Sequence, residues 1–270
     1  MSDTKEVVAA KENPVAVMED EFYEEAGQGL QNVKSDDLSI PFLSIIQSNS
    51  PQRKKNDGAY IEGADEGMVF NTVTKELYDA ENEPIAVLAC AFDRRYLNWR
   101  SREEGGGLLG IYTPEDDIVK TAHREGNREM LPDGSLLSNT AQHYVLILGK
   151  DGSFKRAVVS MTSTQLKKSR DWLYMMGDTV MINSQGRRFT PPSYAMIYYL
   201  STSHQENDKG SWYGWKITQG PKLDLATYRD AFEVAKKFSR AVLEGNVKIA
   251  PPVDPSESAG GGGGDDAIPF

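Results

Sequence analysis

Short runs rich in β-branched and aromatic residues are the feature of this sequence that most constrains its fold. Each run has the length and composition typical of a β-strand, and the link GKDGS between two of them predicts a tight hairpin turn. The runs cover residues 67–73, 84–92, 142–149, 154–161, 193–200 and 211–218. We therefore expect a mainly β protein.

Two segments have a helical spacing of apolar residues instead. They cover residues 163–176 and 224–244, and each is followed by a glycine of the kind that ends helices. From residue 84 the predicted order is strand, long insertion, strand, hairpin strand, helix, strand, strand, helix. Five strands with a helix between the third and the fourth is the connectivity of the OB-fold, a five-stranded Greek-key barrel. The sequence thus predicts an α+β chain, an elaborated OB-fold with an enlarged loop at about 93–140 and a C-terminal helix.

The negative charge of the chain lies in its two ends. The formal net charge is −10, from 40 Asp+Glu against 30 Lys+Arg. Residues 1–26 hold eight acids and two lysines, a net of −6, and residues 250–270 hold four acids and no base, a net of −4, so the body is formally neutral. We interpret residues 1–27 as a disordered acidic segment, 28–249 as the folded domain, and 250–270 as a disordered Gly/Pro linker with an acidic tip.

Composition excludes several classes of protein. One cysteine and three histidines leave no disulfide framework, thiolate zinc cluster or His-rich metal site, so we expect no metal and no cofactor. No apolar run approaches the ~18 residues of a membrane helix, and the acidic N-terminus lacks a signal-peptide pattern. These features predict a cytoplasmic protein without a membrane partner.

Basic and aromatic residues are interleaved in several segments of the body. Single-strand binding uses this mixture, because cations follow the phosphates while rings stack on bases at ~1–3 kcal/mol per stacked base. The alternative is that the rings belong to the core and the cations to a solvated face; it explains any single residue more easily than the whole set. The candidate DNA-binding residues are Arg94, Arg95, Tyr96, Trp99, Arg100, Arg102, Lys155, Arg156, Lys167, Lys168, Arg170, Arg187, Arg188, Phe189, Trp212, Tyr213, Trp215 and Lys216.

The chain ends in a Gly-rich coil followed by DDAIPF, which combines acidic side chains, large apolar side chains and the terminal carboxylate. This ending resembles the acidic tip of bacterial single-stranded DNA-binding proteins, where the tip docks replication, recombination and repair proteins. The resemblance implies the same role here, although Ala267 stands where the family usually has a third acid. The residues concerned are Asp265, Asp266, Ile268, Pro269 and Phe270.

The body resembles the divergent single-stranded DNA-binding proteins of tailed bacteriophages, which combine an OB-type core with an acidic tail. This resemblance implies binding and protection of single-stranded DNA, without strong sequence preference, during phage DNA replication and recombination in the host cytoplasm. A flexible acidic tip is also expected to compete with DNA for the basic segments. The alternative function is a recombination mediator or strand-annealing adaptor that loads another protein onto DNA. The sequence is compatible with a homo-oligomer and does not define one.

Catalytic motifs receive no support. The segment GGGLLG at 105–110 matches G-x-G-x-x-G, but it lacks the strand before it and the helix after it that a dinucleotide site needs, so we interpret it as a mobile loop. Cys90 lies in an apolar run and is expected to be a core residue rather than a nucleophile. We therefore expect no enzymatic activity; a nuclease is the remaining alternative, which incubation of labelled single strands with magnesium would test.

Overall fold

The fold is described from a computed structural model. It covers residues 39–126, 128–208 and 210–252, together with residues 25, 28, 29, 31 and 32. Contacts divide the chain into two units, Met1–Leu38 and Ser39–Phe270, and the elements below belong to the second. Of the predicted acidic N-terminal segment, only residue 25 is described. The predicted C-terminal tip lies outside the described residues.

Strands dominate the second unit, as the sequence predicts. The strands are β1 Phe42–Ile45, β2 Val69–Asn71, β3 Leu77–Tyr78, β4 Ile85–Trp99, β5 Leu108–Tyr112, β6 His123–Glu125, β7 Arg128–Met130, β8 Leu136–Leu148, β9 Phe154–Thr162, β10 Met181–Ile182, β11 Arg188–Phe189, β12 Met196–Asn207 and β13 Gly210–Lys222. The α-helices are α1 Asp117–Lys120, α2 Gln165–Asp178 and α3 Arg229–Leu243. Short 3-10 turns cover Pro51–Arg53, Arg102–Glu104 and Ser193–Ala195. The expected mainly β class with helices is confirmed.

Eleven of these strands form one curled, mixed sheet, whose main path runs β13-β12-β4-β8-β9-β1-β2-β3. Four of its strands, in chain order β4, β8, β9 and β12, lie side by side as β12-β4-β8-β9. The first three are antiparallel neighbours in chain order, and the fourth returns to pair with the first. This spatial order, 4-1-2-3, is that of a Greek key. A hairpin then adds β13 to β12, while β10 and β11 form a separate small sheet.

Strand β1 and the side chain of Gln47 bridge the space between β9 and β13, the two outer strands of this arrangement. Strand β1 pairs in parallel with β9, and Gln47, just past β1, reaches across to β13. The Gln47 amide donates to the Tyr213 carbonyl at 2.9 Å, and its oxygen accepts the Tyr213 N–H at 2.8 Å. A side-chain amide therefore occupies the hydrogen-bonding position that another strand would take.

Two apolar cores lie on opposite faces of the sheet. The first, which we call the α2 core, unites inward residues of β4, β8, β9, β12 and β13 with Trp172 of α2. The second, the α3 core, packs Leu88, Cys90 and Tyr144 against the apolar side of α3, which includes Phe238. Strand residues alternate between the two faces, so both helices can be held by one sheet.

About half of the segment 93–140, predicted as an enlarged loop, is strand. β4 and β8 run past their predicted ends and remain paired as far as Trp99 and Leu136. β5 pairs with the far end of β4, and β7 pairs with β8 and with β6. We call residues 93–140 the arm. Its strands carry many polar residues at half-buried positions, and this composition resembles that of a loop.

The folded body ends later than predicted at its C-terminus. Ile40 and Ile249 form a parallel bridge, in which the Ile40 N–H donates to the Lys248 carbonyl at 2.9 Å. The Ala250 N–H donates to the Ile40 carbonyl at 2.8 Å, and Ala250 is only 5% exposed. Residue 250 therefore belongs to the α3 core rather than to the linker. A truncation that spares the fold begins after Pro252.

Candidate nucleic-acid interface

The predicted DNA-binding residues fall into separate regions. Arg94 to Arg102 lie on the arm, Lys155 and Arg156 on β9, and the remainder on α2, the β10–β11 hairpin and β13. The structure describes no side-chain position for Arg102. The regions differ in how far their cations are already paired and their rings already buried.

Helix α2 buries one side and exposes a cationic one. Trp172 is fully buried and stacks on the His143 ring at a centroid distance of 4.4 Å, while Ser169 Oγ and His143 Nε2 are hydrogen bonded at 2.8 Å. Lys167, Arg170 and Tyr174 are exposed at spacings of three and four residues, so they share the opposite side of the helix. Tyr174 is 69% exposed, a large accessibility for a ring.

The β10–β11 hairpin, directly after α2, adds two cations and a second exposed ring. Its turn is held by Asn183, whose side-chain oxygen accepts the N–H groups of Gln185 and Arg187, each at 2.9 Å. Arg187 and Arg188 are exposed, and Phe189 is 44% exposed. A short hairpin thus presents the same mixture of charge and ring as α2.

α2, the hairpin and the end of β13 are side by side. Gln165 at the start of α2 accepts the Trp215 N–H at 2.9 Å, and Gln219 donates to Thr179 Oγ1, just past the end of α2, at 3.1 Å. A cavity of about 490 Å³ lies where these elements meet the start of β12, and Lys222 of β13 contributes to its wall. We group the exposed cations and rings of α2 and of the hairpin that follows it under the name α2–hairpin face: Lys167, Arg170, Tyr174, Arg187, Arg188 and Phe189.

This face has a local excess of positive charge. Residues 164–190 carry five cations, counting the half-buried Lys168, against Asp171 and Asp178. Of the ion pairs formed within the described part of the chain, none uses any of these five cations. They are therefore available to phosphate groups without the loss of an existing partner.

The rings of β13 are less available than the sequence suggests. Trp215 is 3% exposed and lies in the α2 core, and Tyr213 packs against the same core with its ring over Gly67. Trp212 is half-buried, and its Nε1 donates to Gln205 Oε1 at 3.0 Å. Only Lys216 of this group is exposed. For Trp215 the structure therefore favours the core role, since a ring so deeply buried presents no face to a base.

The arm is close to neutral, and two of its candidate cations have protein partners. Arg94 donates to Asn139 Oδ1 at 2.8 Å and lies over the Phe92 ring at 5.6 Å, while Arg95 pairs with Asp93. Tyr96 is half-buried, and Trp99 is 4% exposed. Arg100 is exposed. Residues 93–133 carry seven Lys+Arg against nine Asp+Glu, so the arm offers phosphates no net attraction.

The two candidates on β9 are also engaged. Lys155 donates to both carboxylate oxygens of Glu76, at 2.9 and 2.7 Å, and this hydrogen bond lowers the pKa of Glu76. Arg156 lies over the Phe238 ring of α3 at 5.6 Å, on the face opposite to α2. Neither side chain belongs to the α2–hairpin face.

Sequence reasoning missed two polar neighbours of the candidate residues on the arm. Asn139 orients Arg94, and its Nδ2 lies 3.4 Å from the Tyr96 hydroxyl. Tyr112 on β5 is the cross-strand partner of Tyr96. The signal for both was hidden, because Tyr112 follows a glycine-rich run and Asn139 precedes the predicted start of its strand.

Other chemistry is not supported by the described residues. Cys90 is buried, and burial raises the pKa of its thiol to about 12, which disfavours the nucleophilic thiolate. Within the described ranges no three His, Cys, Asp or Glu side chains come together as a metal site. Residues 108–110 of the glycine-rich segment are strand rather than a mobile loop. Among the described helices, none combines the length and the apolarity needed to traverse a bilayer.

Comparison with known proteins gives one family. A family model described as Pam3 phage gp34-like protein matches residues 9–248, which is most of the chain. No curated protein and no solved structure matches the sequence or the fold.

Proposed function

This chain belongs to the Pam3 phage gp34-like family of bacteriophage proteins, and from that premise we propose that it binds single-stranded DNA without strong sequence preference. The observation that carries the proposal is the α2–hairpin face, where four exposed cations form no ion pair among the described residues and two rings are exposed on the same two elements. Double-stranded DNA would use the cations but not the rings, because its bases are already stacked. The combination therefore favours a single strand.

The fold supports the same function. β4, β8, β9, β12 and β13 follow one another in the spatial order 5-4-1-2-3, with α2 between the third and the fourth. We infer that these strands are an OB-fold whose space between β9 and β13 is bridged by β1, Gln47 and α2. OB-folds commonly bind oligonucleotides across the strands of the barrel and the loops beside them. The arm occupies the position of the loop between the first two strands.

The C-terminal tip, Asp265 to Phe270, completes the proposal. Its acids and apolar residues lie outside the described residues, so its role rests on sequence. We propose that it recruits replication, recombination or repair proteins to the DNA that the body covers. This role needs a free tip, which the Gly-rich sequence before the tip predicts.

Removing one exposed ring is expected to weaken DNA binding at least about fivefold, because a stacked base contributes ~1–3 kcal/mol. We expect this for Tyr174→Ala and for Phe189→Ala, each tested separately. The measurement is the fluorescence anisotropy of a labelled oligo-dT titrated with protein. Tryptophan quenching is less suitable, since Trp99, Trp172 and Trp215 are buried.

Leu243→Ala is the matched control for these variants. Leu243 is 77% exposed at the end of α3, and its removal deletes a large apolar side chain away from the proposed face. Its affinity should equal that of the wild type. Equal weakening in all three variants would argue against stacking at Tyr174 and Phe189, and no binding by the wild type would disprove the function.

Truncation after Pro252 is expected to tighten oligo-dT binding at low salt, by roughly threefold to tenfold. The change removes four acids that compete with DNA for the cationic face, and salt screens this competition. The gain should shrink as salt rises, which anisotropy titrations at several salt concentrations would measure.

A second variant separates charge from length in this experiment. Asp265→Asn with Asp266→Asn keeps the tail and removes two of its charges, and it should reproduce part of the gain. If the truncated chain binds with the same affinity as the whole chain at low salt, the tail does not compete for the DNA site.

A further inference from the structure

One edge strand of the sheet lacks the protection that edge strands usually have. β5 is five residues long, pairs with β4 on one side, and has no strand partner on its other side within the described residues. Its sequence LLGIY contains no charge. Leu108, Leu109 and Ile111 are 37%, 43% and 43% exposed. Free backbone groups next to exposed aliphatic side chains form a template for another strand.

Three other edges of the same sheet carry some protection. Along the β13 edge, Gln47 bonds both backbone groups of Tyr213, and Gln165 accepts the Trp215 N–H. β3 is only two residues long, and β6 consists of His-Arg-Glu, which is exposed and polar. Covering, shortness and charge are the usual means of preventing strand addition. β5 is not covered by another described strand and carries no charge, although its ladder with β4 shifts register between Asn98 and Trp99.

The apolar side chains of β5 continue a small buried core of the arm. Ile111 is the cross-strand partner of Leu97, which is 3% exposed, and Leu108 is the partner of Trp99. An additional strand beside β5 would extend this core and cover the exposed aliphatic groups. The exposed surface is therefore the open side of a packed layer rather than a set of scattered residues.

The polarity of β5 is symmetric about Gly110, which selects its partner. The register of β5 against β4 shifts at Leu109, and the strand is regular from Gly110 to Tyr112. In an antiparallel pair of two β5 strands, Gly110 lies opposite Gly110, Ile111 opposite Leu109, and Tyr112 opposite Leu108. Every pair is then apolar and no like charges meet, as a two-fold interface requires. A charged partner strand would pair with the backbone of β5 but would leave its aliphatic side chains without apolar contacts.

We propose that two copies of this chain associate through antiparallel pairing of their β5 strands. The interface is independent of the α2–hairpin face and requires no DNA. It joins the arm sheets of the two copies into one continuous sheet and leaves the cationic face of each copy exposed.

Sedimentation of the whole chain without DNA tests the association. The wild type should shift from monomer toward dimer as its concentration rises from low micromolar to near millimolar. The double variant Leu109→Lys, Ile111→Lys should lose the dimer, because lysines on an edge repel and remain solvated. The control variant Leu225→Lys, Leu243→Lys should keep the dimer. Its two residues are 38% and 77% exposed and lie far from β5 in the sequence. A wild type that is monomeric throughout, or a dimer that survives the edge lysines, overturns the proposal.

Disulfide formation tests the register in otherwise native protein. Directly opposed residues of antiparallel strands bring their Cβ atoms within reach of a disulfide. A mixture of Leu109→Cys and Ile111→Cys proteins should therefore form a mixed dimer faster than either protein alone. The native Cys90 is buried and does not interfere. Equal cross-linking in the mixture and in the separate proteins overturns the two-fold pairing.

Discussion

Alanine at Lys167, Arg170, Arg187 and Arg188 together is expected to lower the affinity for oligo-dT by about a hundredfold or more at low salt. The four side chains are exposed on the α2–hairpin face and take part in no ion pair among the described residues, so their removal leaves no acid without its partner. The loss therefore reports on DNA contacts rather than on stability. Anisotropy titrations measure it directly.

The salt dependence gives this prediction a second measurement. Each phosphate contact of a single strand contributes about 0.7 to the slope of log affinity against log salt, because binding releases condensed counterions. Losing four contacts should reduce the slope by roughly 3. A variant that binds more weakly with an unchanged slope would have lost something other than phosphate contacts.

An equal change of charge elsewhere is the necessary control. Alanine at Arg229, Lys236, Lys237 and Arg240 removes four cations from α3, on the opposite side of the sheet. If the proposed face binds DNA, this variant keeps most of the wild-type affinity and slope. If both variants lose affinity equally, net charge rather than the α2–hairpin face determines binding.

The order of the main elements was predictable because it depends on local pattern. The predicted runs overlap β4, β8, β9, β12, β13 and the helix α2, although β4, β8 and β12 each extend six or seven residues beyond their predicted ranges. The helix α3 begins at Arg229 rather than at residue 224, because Asp224 accepts the Ala226 N–H and the Thr227 hydroxyl in a turn before it. Polar residues that bond locally compete with the first turn of a helix.

The arm could not be predicted because its strands carry many polar residues at half-buried positions. Asp93, Arg94 and Asn139 interrupt the apolar alternation that identifies a half-buried strand, although all three lie in paired strands. β5 was hidden by its glycines. Such strands are stabilised by pairing over many residues rather than by an apolar pattern. This pairing joins residues distant in the sequence, so local pattern does not reveal it.

The division of rings between core and surface was equally hidden. Trp215 and Phe189 both stand beside cations in the sequence, yet Trp215 is 3% exposed and Phe189 is 44% exposed. The difference arises from long-range packing: Trp215 faces the α2 core, while Phe189 lies on a hairpin outside the main sheet. The sequence shows that basic and aromatic residues are mixed, but only the fold shows which of the aromatic rings are exposed.

A buried histidine makes the protein sensitive to mild acid. His143 of β8 lies between the rings of Trp172 and Phe92 and is hydrogen bonded to Ser169, so it anchors α2 to the sheet. Burial, with a smaller effect of the Arg94 charge, lowers the pKa of His143 to about 3. In the unfolded chain an imidazole has a pKa of about 6.5.

The sign of the effect follows from proton uptake. Between pH 6.5 and about 3 the unfolded chain binds a proton at residue 143 that the folded chain excludes, so the free energy of unfolding falls as pH falls. The loss should be about 2 kcal/mol between pH 7 and pH 5, within a limit of about 1.4 kcal/mol per pH unit. Carboxylates with lowered pKa, such as Glu76, add their own losses mainly below this range.

Urea unfolding followed by circular dichroism at pH 7, 6 and 5 measures this loss. His143→Gln keeps a hydrogen-bonding group near Ser169 but loses the ring contacts with Trp172 and Phe92, so the variant should be less stable at pH 7. Because glutamine cannot be protonated, the variant should lose much less stability on acidification. His204→Gln removes an exposed imidazole and should retain the wild-type pH dependence. Since α2 carries half of the proposed DNA face, acid that weakens its anchor should also weaken DNA binding in the wild type, and less so in the glutamine variant. Parallel pH profiles for the wild type and His143→Gln would show that the imidazole does not control the docking of α2.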